Sequence, residues 1–217
     1  MIEPYWSEFL TVALLHLLAV ASPGPDFAVI LKQSLCRTRK EAIWTSLGIS
    51  TGISVHVTYS LLGLGILISQ SLLAFNILKF IAVTYLLYIG WQSLRAQPRS
   101  ALDSGAIPDN SSIALNSHPA SAFKLGFLTN VLNPKATLFF VALFAAVISP
   151  ETPVLIRAFY GVWMVFATGL WFIGLSLLFS RPGIKTKFTR FGHWVERIMG
   201  IALIALAGKL ASATLNH

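Results

Sequence analysis

The sequence predicts an all-α integral membrane protein: six transmembrane helices in two inverted three-helix repeats, with helices 1 and 4 broken at prolines. Three observations carry this. Apolar residues make up 55% of the 217 residues, charged residues only 11%, and the mean hydropathy is +0.73. An ordinary soluble domain is about 25% charged. Lys and Arg gather in alternate loops. Two long apolar runs are each interrupted by a short polar step that contains proline.

Six runs approach the roughly 20 apolar residues that a bilayer core requires. They cover 9–31, 43–69, 72–94, 125–148, 154–180 and 195–214. The last opens with Glu196 and Arg197 and carries Lys209, which would have to reach outward along its stem. The first resembles a secretory leader with a small-residue cleavage site at Ala19-Val20-Ala21. A leader opens with positive charge. This run is preceded by Glu3 and Glu8, with no Lys or Arg before Lys32, so it is read as a retained helix.

The chain carries 16 Lys and Arg against 8 acids. Twelve of the 16 fall on one side: Lys32, Arg37, Arg39 and Lys40, then Arg95, Arg99 and Lys124, then Arg181, Lys185, Lys187, Arg190 and Arg197. Basic loops stay cytoplasmic, so both termini are expected in the periplasm. The charge excess is a topology signal with some attraction to anionic membrane lipids. No nucleic-acid partner is expected, because no soluble basic face with interleaved aromatics exists. The single cysteine, Cys36, rules out an internal disulfide.

Residues 1–217 read as one transporter-like membrane domain. The stretch 95–123, rich in Ser, Ala, Asn and Pro, reads as a cytoplasmic linker between the halves 9–94 and 124–214. Three spans per half is an odd number, so the halves insert with opposite orientation. Inverted repeats with broken helices at matching places point to a binding site between the halves.

The two breaks are Ser22-Pro23-Gly24-Pro25-Asp26 and Asn133-Pro134-Lys135. Ser and Asn are preferred caps, and proline suits the first helical position, where no N–H is needed. Each break is therefore read as a stop, a cap (Ser22 and Asn133) and a restarted half-helix. Irregular backbone at membrane depth is tolerated only against protein or a water-filled cavity. Asp26 and Lys135 would then sit near the starts of the half-helices.

The pattern resembles the LysE/RhtB family of bacterial amino-acid exporters. "SPGPD" (22–26), "RTRKEA" (37–42), "GISTG" (48–52), "YLLYIGWQSLR" (85–95) and "GFLTNVLNPKA" (126–136) carry the resemblance, which runs from about residue 9 to 212. Within the family it is most similar to the threonine and homoserine (lactone) exporters. The resemblance implies efflux of small amino acids across the bacterial inner membrane, driven by protons, with no cofactor.

The expected substrate-binding residues are Ser22, Pro23, Gly24, Pro25, Asp26, Asn130, Asn133, Pro134 and Lys135, with Asp26 as the proton-coupling candidate. Each has a plainer reading. Asp26 could only cap its half-helix. Lys135 could be a gate or a partner of Asp26. Asn130, on the face of Asn133, could make an interhelical hydrogen bond worth about 0.6 kcal/mol. His16 and His56 are read as packed histidines rather than proton carriers. Gly48 and Gly52, extended by Ser46, Ser50, Ser54 and Thr58, are read as close helix packing. Of Tyr85, Tyr88 and Trp91 on one face, Trp91 reads as an interface anchor, and a tyrosine could line the path.

Other classes fit poorly. An enzyme is not expected: the chain has no H-E-x-x-H, and its G-x-S-x-G, Gly48 to Gly52, falls inside the apolar run 43–69 read as close helix packing, not at a strand-to-helix turn. One Cys and five scattered His give no metal site. A passive channel with the same architecture remains open, as do export of a basic or branched amino acid and a homo-oligomeric state.

Overall fold

Helices and short connections account for the whole computed structural model over its described residues, 3–22, 24–70, 72–97, 118–149, 151–179 and 184–212, without a strand. Eight helices follow in order: α1 (Glu3–Ala21), α2 (Pro25–Cys36), α3 (Arg39–Gln70), α4 (Leu72–Leu94), α5 (Pro119–Val131), α6 (Pro134–Ala146), α7 (Val154–Phe179) and α8 (Ile184–Ser212). Most of the expected linker and Pro23 lie outside the described residues. The end of that linker, from Pro119, already belongs to α5: His118 accepts the N–H of Ala120, and Pro119 takes the first helical position.

By length and composition, Asn76–Leu94 and Val154–Phe179 can each cross a bilayer alone. Tyr5–Ala21 with Pro25–Cys36, bent by 52°, and Pro119–Val131 with Pro134–Ala146, bent by 55°, qualify only as pairs. Six spans are expected from the sequence, and among the described residues this measure gives four if each bent pair is one span. The apolar end of α3, 63–70, lies outside the residues whose side chains are described, so the expected span 43–69 is not counted whole. α3 carries Thr45, Ser46, Ser50, His56 and Ser60, all buried. α8 opens on a charged segment that runs to Arg197.

Polarity is inverted relative to a soluble bundle. Leu155, Leu170 and Phe80 are exposed on the outside, while His16, His56, Asn130, Thr168 and Ser176 are fully or almost fully buried. In hydrocarbon an apolar outer face costs nothing, and polar side chains must find partners inside the bundle.

α3 starts with a reciprocal cap. Thr38 and Glu41 bond each other, with Thr38 N donating to Glu41 Oε2 at 3.0 Å and Glu41 N to Thr38 Oγ1 at 3.3 Å. From there α3 runs parallel to α5, so closely that backbone meets backbone. A Cβ on Gly48 would meet the Phe123 carbonyl, and one on Gly126 would meet the Thr45 carbonyl. α7 runs antiparallel to α3, with Ser46 bonded to Ser176 at 3.0 Å and Ser50 donating to the Val165 carbonyl at 2.7 Å. α4 and α8 also pair antiparallel, Gly90 against Gly200, with Arg197 Nε reaching the Ala96 carbonyl at 3.1 Å.

At the opposite end of α7, Glu8 of α1 accepts Ser149 N at 2.8 Å and Thr152 Oγ1 at 2.9 Å. Tyr160 donates to the Tyr5 carbonyl at 3.1 Å. One main apolar cluster joins α1, α3, α4, α6, α7 and α8 through Phe139, Phe140, Leu143, Met164 and Leu203.

The close α3–α5 crossing makes a stability prediction. Gly126→Ala should lower stability in detergent by about 1–3 kcal/mol, because backbone must move apart. Gly208→Ala, where a Cβ meets nothing within 4 Å, should be neutral or stabilising by up to about 1 kcal/mol. Thermal unfolding of the two variants checks this.

Candidate functional site

The half-helix starts are built differently from each other. Asn133 caps α6 by accepting the N–H of Lys135 at 3.0 Å. Pro134 has no N–H to lose, and Thr137 N is bonded to the Asn133 carbonyl at 3.0 Å. Among the described residues this leaves the Ala136 N–H as the unpaired donor of the first turn.

The start of α2 departs from the expected cap. Ser22 still belongs to the last turn of α1, its N–H bonded to the Leu18 carbonyl at 3.1 Å. The cap position falls on Gly24, without a side-chain bond, and Pro25 opens the helix. Because α1 continues through Ser22, its hydroxyl is free to turn across the bundle instead. It accepts the Lys135 ammonium at 2.7 Å.

Asp26 lies in the first turn of α2. Asn130 Nδ2 and Asn133 Nδ2 both donate to its Oδ2, at 3.0 and 3.1 Å. Two amides from the end of α5 and the cap of α6 thus converge on one carboxylate oxygen. Its other oxygen, Oδ1, is buried without a partner among the described residues. A buried acceptor left unsatisfied costs about 1–3 kcal/mol, so this atom favours an incoming donor. Asn130 is itself held in place. Its carbonyl accepts Asn133 N at 2.9 Å and faces His56 Nε2 at 3.0 Å. Its side chain packs on Gly52, where a Cβ would come within 2.6 Å of Oδ1.

Ser22, Gly24, Asp26, Asn130, Asn133 and Lys135 line one cavity of ≈ 50 Å³. At about 10–15 Å³ per water this holds a few waters, the scale of a small solute. Phe139, Phe140, Phe172 and Met199 form its apolar wall. Pro25 and Pro134 shape the helix starts without lining it.

Two residues enter that the sequence reading did not place here. His16 of α1 lines the cavity, its Nε2 3.2 Å from Thr168 Oγ1 of α7 and its ring edge-on to Phe140 and Trp163. Thr168 carries no local signature in an apolar helix. Tyr85 and Tyr88 are not among the lining residues; Tyr88 and Trp91 are exposed, with Arg95 stacked 4.5 Å over the Trp91 ring. Among the described residues no group of three His, Cys, Asp or Glu could hold a metal ion.

An apolar bundle with bent helix pairs, and a cavity carrying acid, amides and ammonium at the bends, is the design of a membrane transport protein. Residues 17–214 match the model of the LysE type translocator. The chain belongs to the LysE translocator family, and is therefore a transporter rather than an enzyme. It is 32% identical over 197 residues to the threonine efflux protein of Escherichia coli (strain K12), covering 88% of this chain and 91% of that one. It is 30% identical over 212 residues to the homoserine/homoserine lactone efflux protein of Salmonella typhimurium, covering 97% of each. No solved structure matches.

The dual role of Asn133 can be separated. Asn133→Ala should cost about 1 kcal/mol through the lost cap, and Asn133→Ser should keep most of it, since serine caps as well. Chemical or thermal denaturation in detergent distinguishes them. An Asn133→Ser variant as unstable as Asn133→Ala would mean that the bond to Asp26, not the cap, carries the stability.

Proposed function

We propose that this protein exports a small amino acid across the bacterial inner membrane in exchange for protons, and that the zwitterion binds at the two helix breaks. The observation that carries the reading is the buried, unpaired Oδ1 of Asp26, in the same cavity as Lys135 and the start of α6. A free amino acid has an ammonium and a carboxylate. The ammonium suits Asp26 Oδ1. The carboxylate suits the helix start, where the Ala136 N–H, the positive dipole end and Lys135 converge. Relatives named for threonine and for homoserine efflux support a small substrate, and so does the modest cavity.

In this reading α1 with α2, α3 and α4 form the first half, and α5 with α6, α7 and α8 the second. A two-fold axis in the membrane plane makes equivalent helices antiparallel. The antiparallel pairs α3–α7 and α4–α8, and the similar bends of 52° and 55°, support it. Protonation of Asp26 would weaken its hold on the ammonium, which makes it the first candidate for coupling. Membrane lipid surrounds the apolar exterior, and no cofactor takes part.

Export is tested by a panel of labelled amino acids in vesicles containing the protein. Counterflow of small hydroxylated amino acids against a gradient is expected, with basic and branched ones exchanged at least about tenfold more slowly. A passive channel would show no counterflow. Asp26→Asn should abolish uphill export while leaving some exchange, and Lys135→Gln should mainly raise the half-saturating concentration. If the double variant restores uphill export that each single change loses, the two residues are a structural ion pair, and the zwitterion site is wrong.

Orientation has its own test. Single cysteines at Ser104 and Ser149, in a Cys36→Ser background, should label from opposite sides, with Ser104 cytoplasmic. Labelling from the same side would remove the inverted-repeat reading.

A further inference from the structure

His56 is fully buried on α3, and both of its ring nitrogens meet oxygen. Nε2 lies 3.0 Å from the carbonyl oxygen of Asn130. Nδ1 lies 2.8 Å from the Tyr59 hydroxyl. That hydroxyl also lies 3.2 Å from the carbonyl oxygen of Thr137. Phe140 stacks on the ring at 5.5 Å and 10°, so the imidazole has little freedom to turn.

A carbonyl oxygen can only accept, so Nε2 carries a proton in either charge state. The rest of the network then has two solutions. With a neutral ring, Nδ1 is bare and accepts the Tyr59 proton, and the Thr137 carbonyl receives nothing from Tyr59. With a charged ring, Nδ1–H donates to the Tyr59 oxygen, and the single hydroxyl proton turns to Thr137. One proton taken up at Nδ1 thus swings one hydroxyl. No other bond forms or breaks.

The two carbonyls belong to the two sides of the second break: Asn130 is in the last turn of α5, and Thr137 is in the first turn of α6. Asn130 also holds Asp26. We propose that His56 is a proton-binding site of the transport cycle, with Tyr59 as the link that ties α6 to α3 only when the ring is charged. The proposal rests on the export reading above and adds a second site to it. An ammonium bound at Asp26 and a proton on His56 repel each other across Asn130. Substrate and proton then compete without sharing an atom, which is the relation an exchanger requires.

The surroundings leave His56 as the distinct group. On α3 the ring faces Tyr59; on α5 it faces only the neutral Asn130. Asp26 of α2 and Lys135 of α6 lie beyond Asn130, around the cavity. His16 of α1 meets the same Phe140 ring at 6.1 Å. α7 meets α3 through Gly161, the Val165 carbonyl and Gly169, none of them titratable. Lys79, Tyr85 and Tyr88 of α4 make no described bond to the ring.

The full chain in vesicles, with labelled homoserine and threonine as probes, tests this. The half-saturating concentration of the wild type should rise on acidification by up to about tenfold per pH unit below the titration point, as for one proton competing with one substrate. In His56→Gln the rise should be at least about fivefold smaller over the same range. In Tyr59→Phe, nitrogen NMR of the ring in nanodiscs should still show His56 titrating, while the rate of exchange loses its step at that pH. Wild-type pH dependence retained in His56→Gln would overturn the proposal. So would a ring that stays in one protonation state from about pH 5 to 9, and this measurement on the wild type decides the matter even if His56→Gln does not fold. Should the wild type exchange neither amino acid, the export reading falls, and the proton site of the cycle falls with it.

Discussion

A carboxylate held away from water constrains this molecule more than any other group. Moving an unpaired ionised carboxylate into a medium of low polarity costs far more than a single domain's stability, so donors have to be brought to it. Asp26 receives two, from Asn130 and Asn133. α5 ends after Val131, α6 starts at Pro134, and the bend of 55° turns the end of one and the cap of the other toward the same oxygen. The rest of the architecture keeps α2 and the α5–α6 junction in register.

That register is set by backbone contact. α3 lies directly on α5 where Gly48 and Gly126 meet carbonyl oxygens, and Gly52 gives the Asn130 side chain its seat. Dispersion and hydrogen bonding, rather than the expulsion of water, hold helices together in lipid. Small residues along α3 allow both. Ser46 and Ser50 add bonds to α7 from the same helix, so α3 fixes α5 and α7 together and the cavity closes between them.

The polar interior is organised around shared atoms. The Asn130 carbonyl serves both Asn133 N and His56, while its side chain serves Asp26. Ser22 ends α1 and receives the Lys135 ammonium. Each break is thereby tied to the other half of the chain, and a change in charge at one position is felt at the helix ends on both sides. Networks of this kind respond as units, because in low dielectric one unsatisfied member raises the cost for its neighbours.

The sequence by itself determined what local chemistry and composition can determine. Apolar content established a bundle of membrane type. The step from Asn133 to Pro134 marks a helix start, since an amide caps and a proline needs no N–H. The Thr38–Glu41 box at the start of α3 has the spacing of a capping box, a local signal that the sequence reading passed over. The corresponding reading of Ser22 failed, because a serine that can cap can also finish the previous helix, and only the path of α1 decides which. Tertiary structure alone decided the partners. Asn130 and Asp26 are 104 residues apart, Lys135 and Ser22 are 113 apart, and Thr168 meets His16 across 152. Such pairs have no local period or propensity, so one sequence names the residues that carry the chemistry, and the packing of α3 against α5 and α7 determines which of them meet.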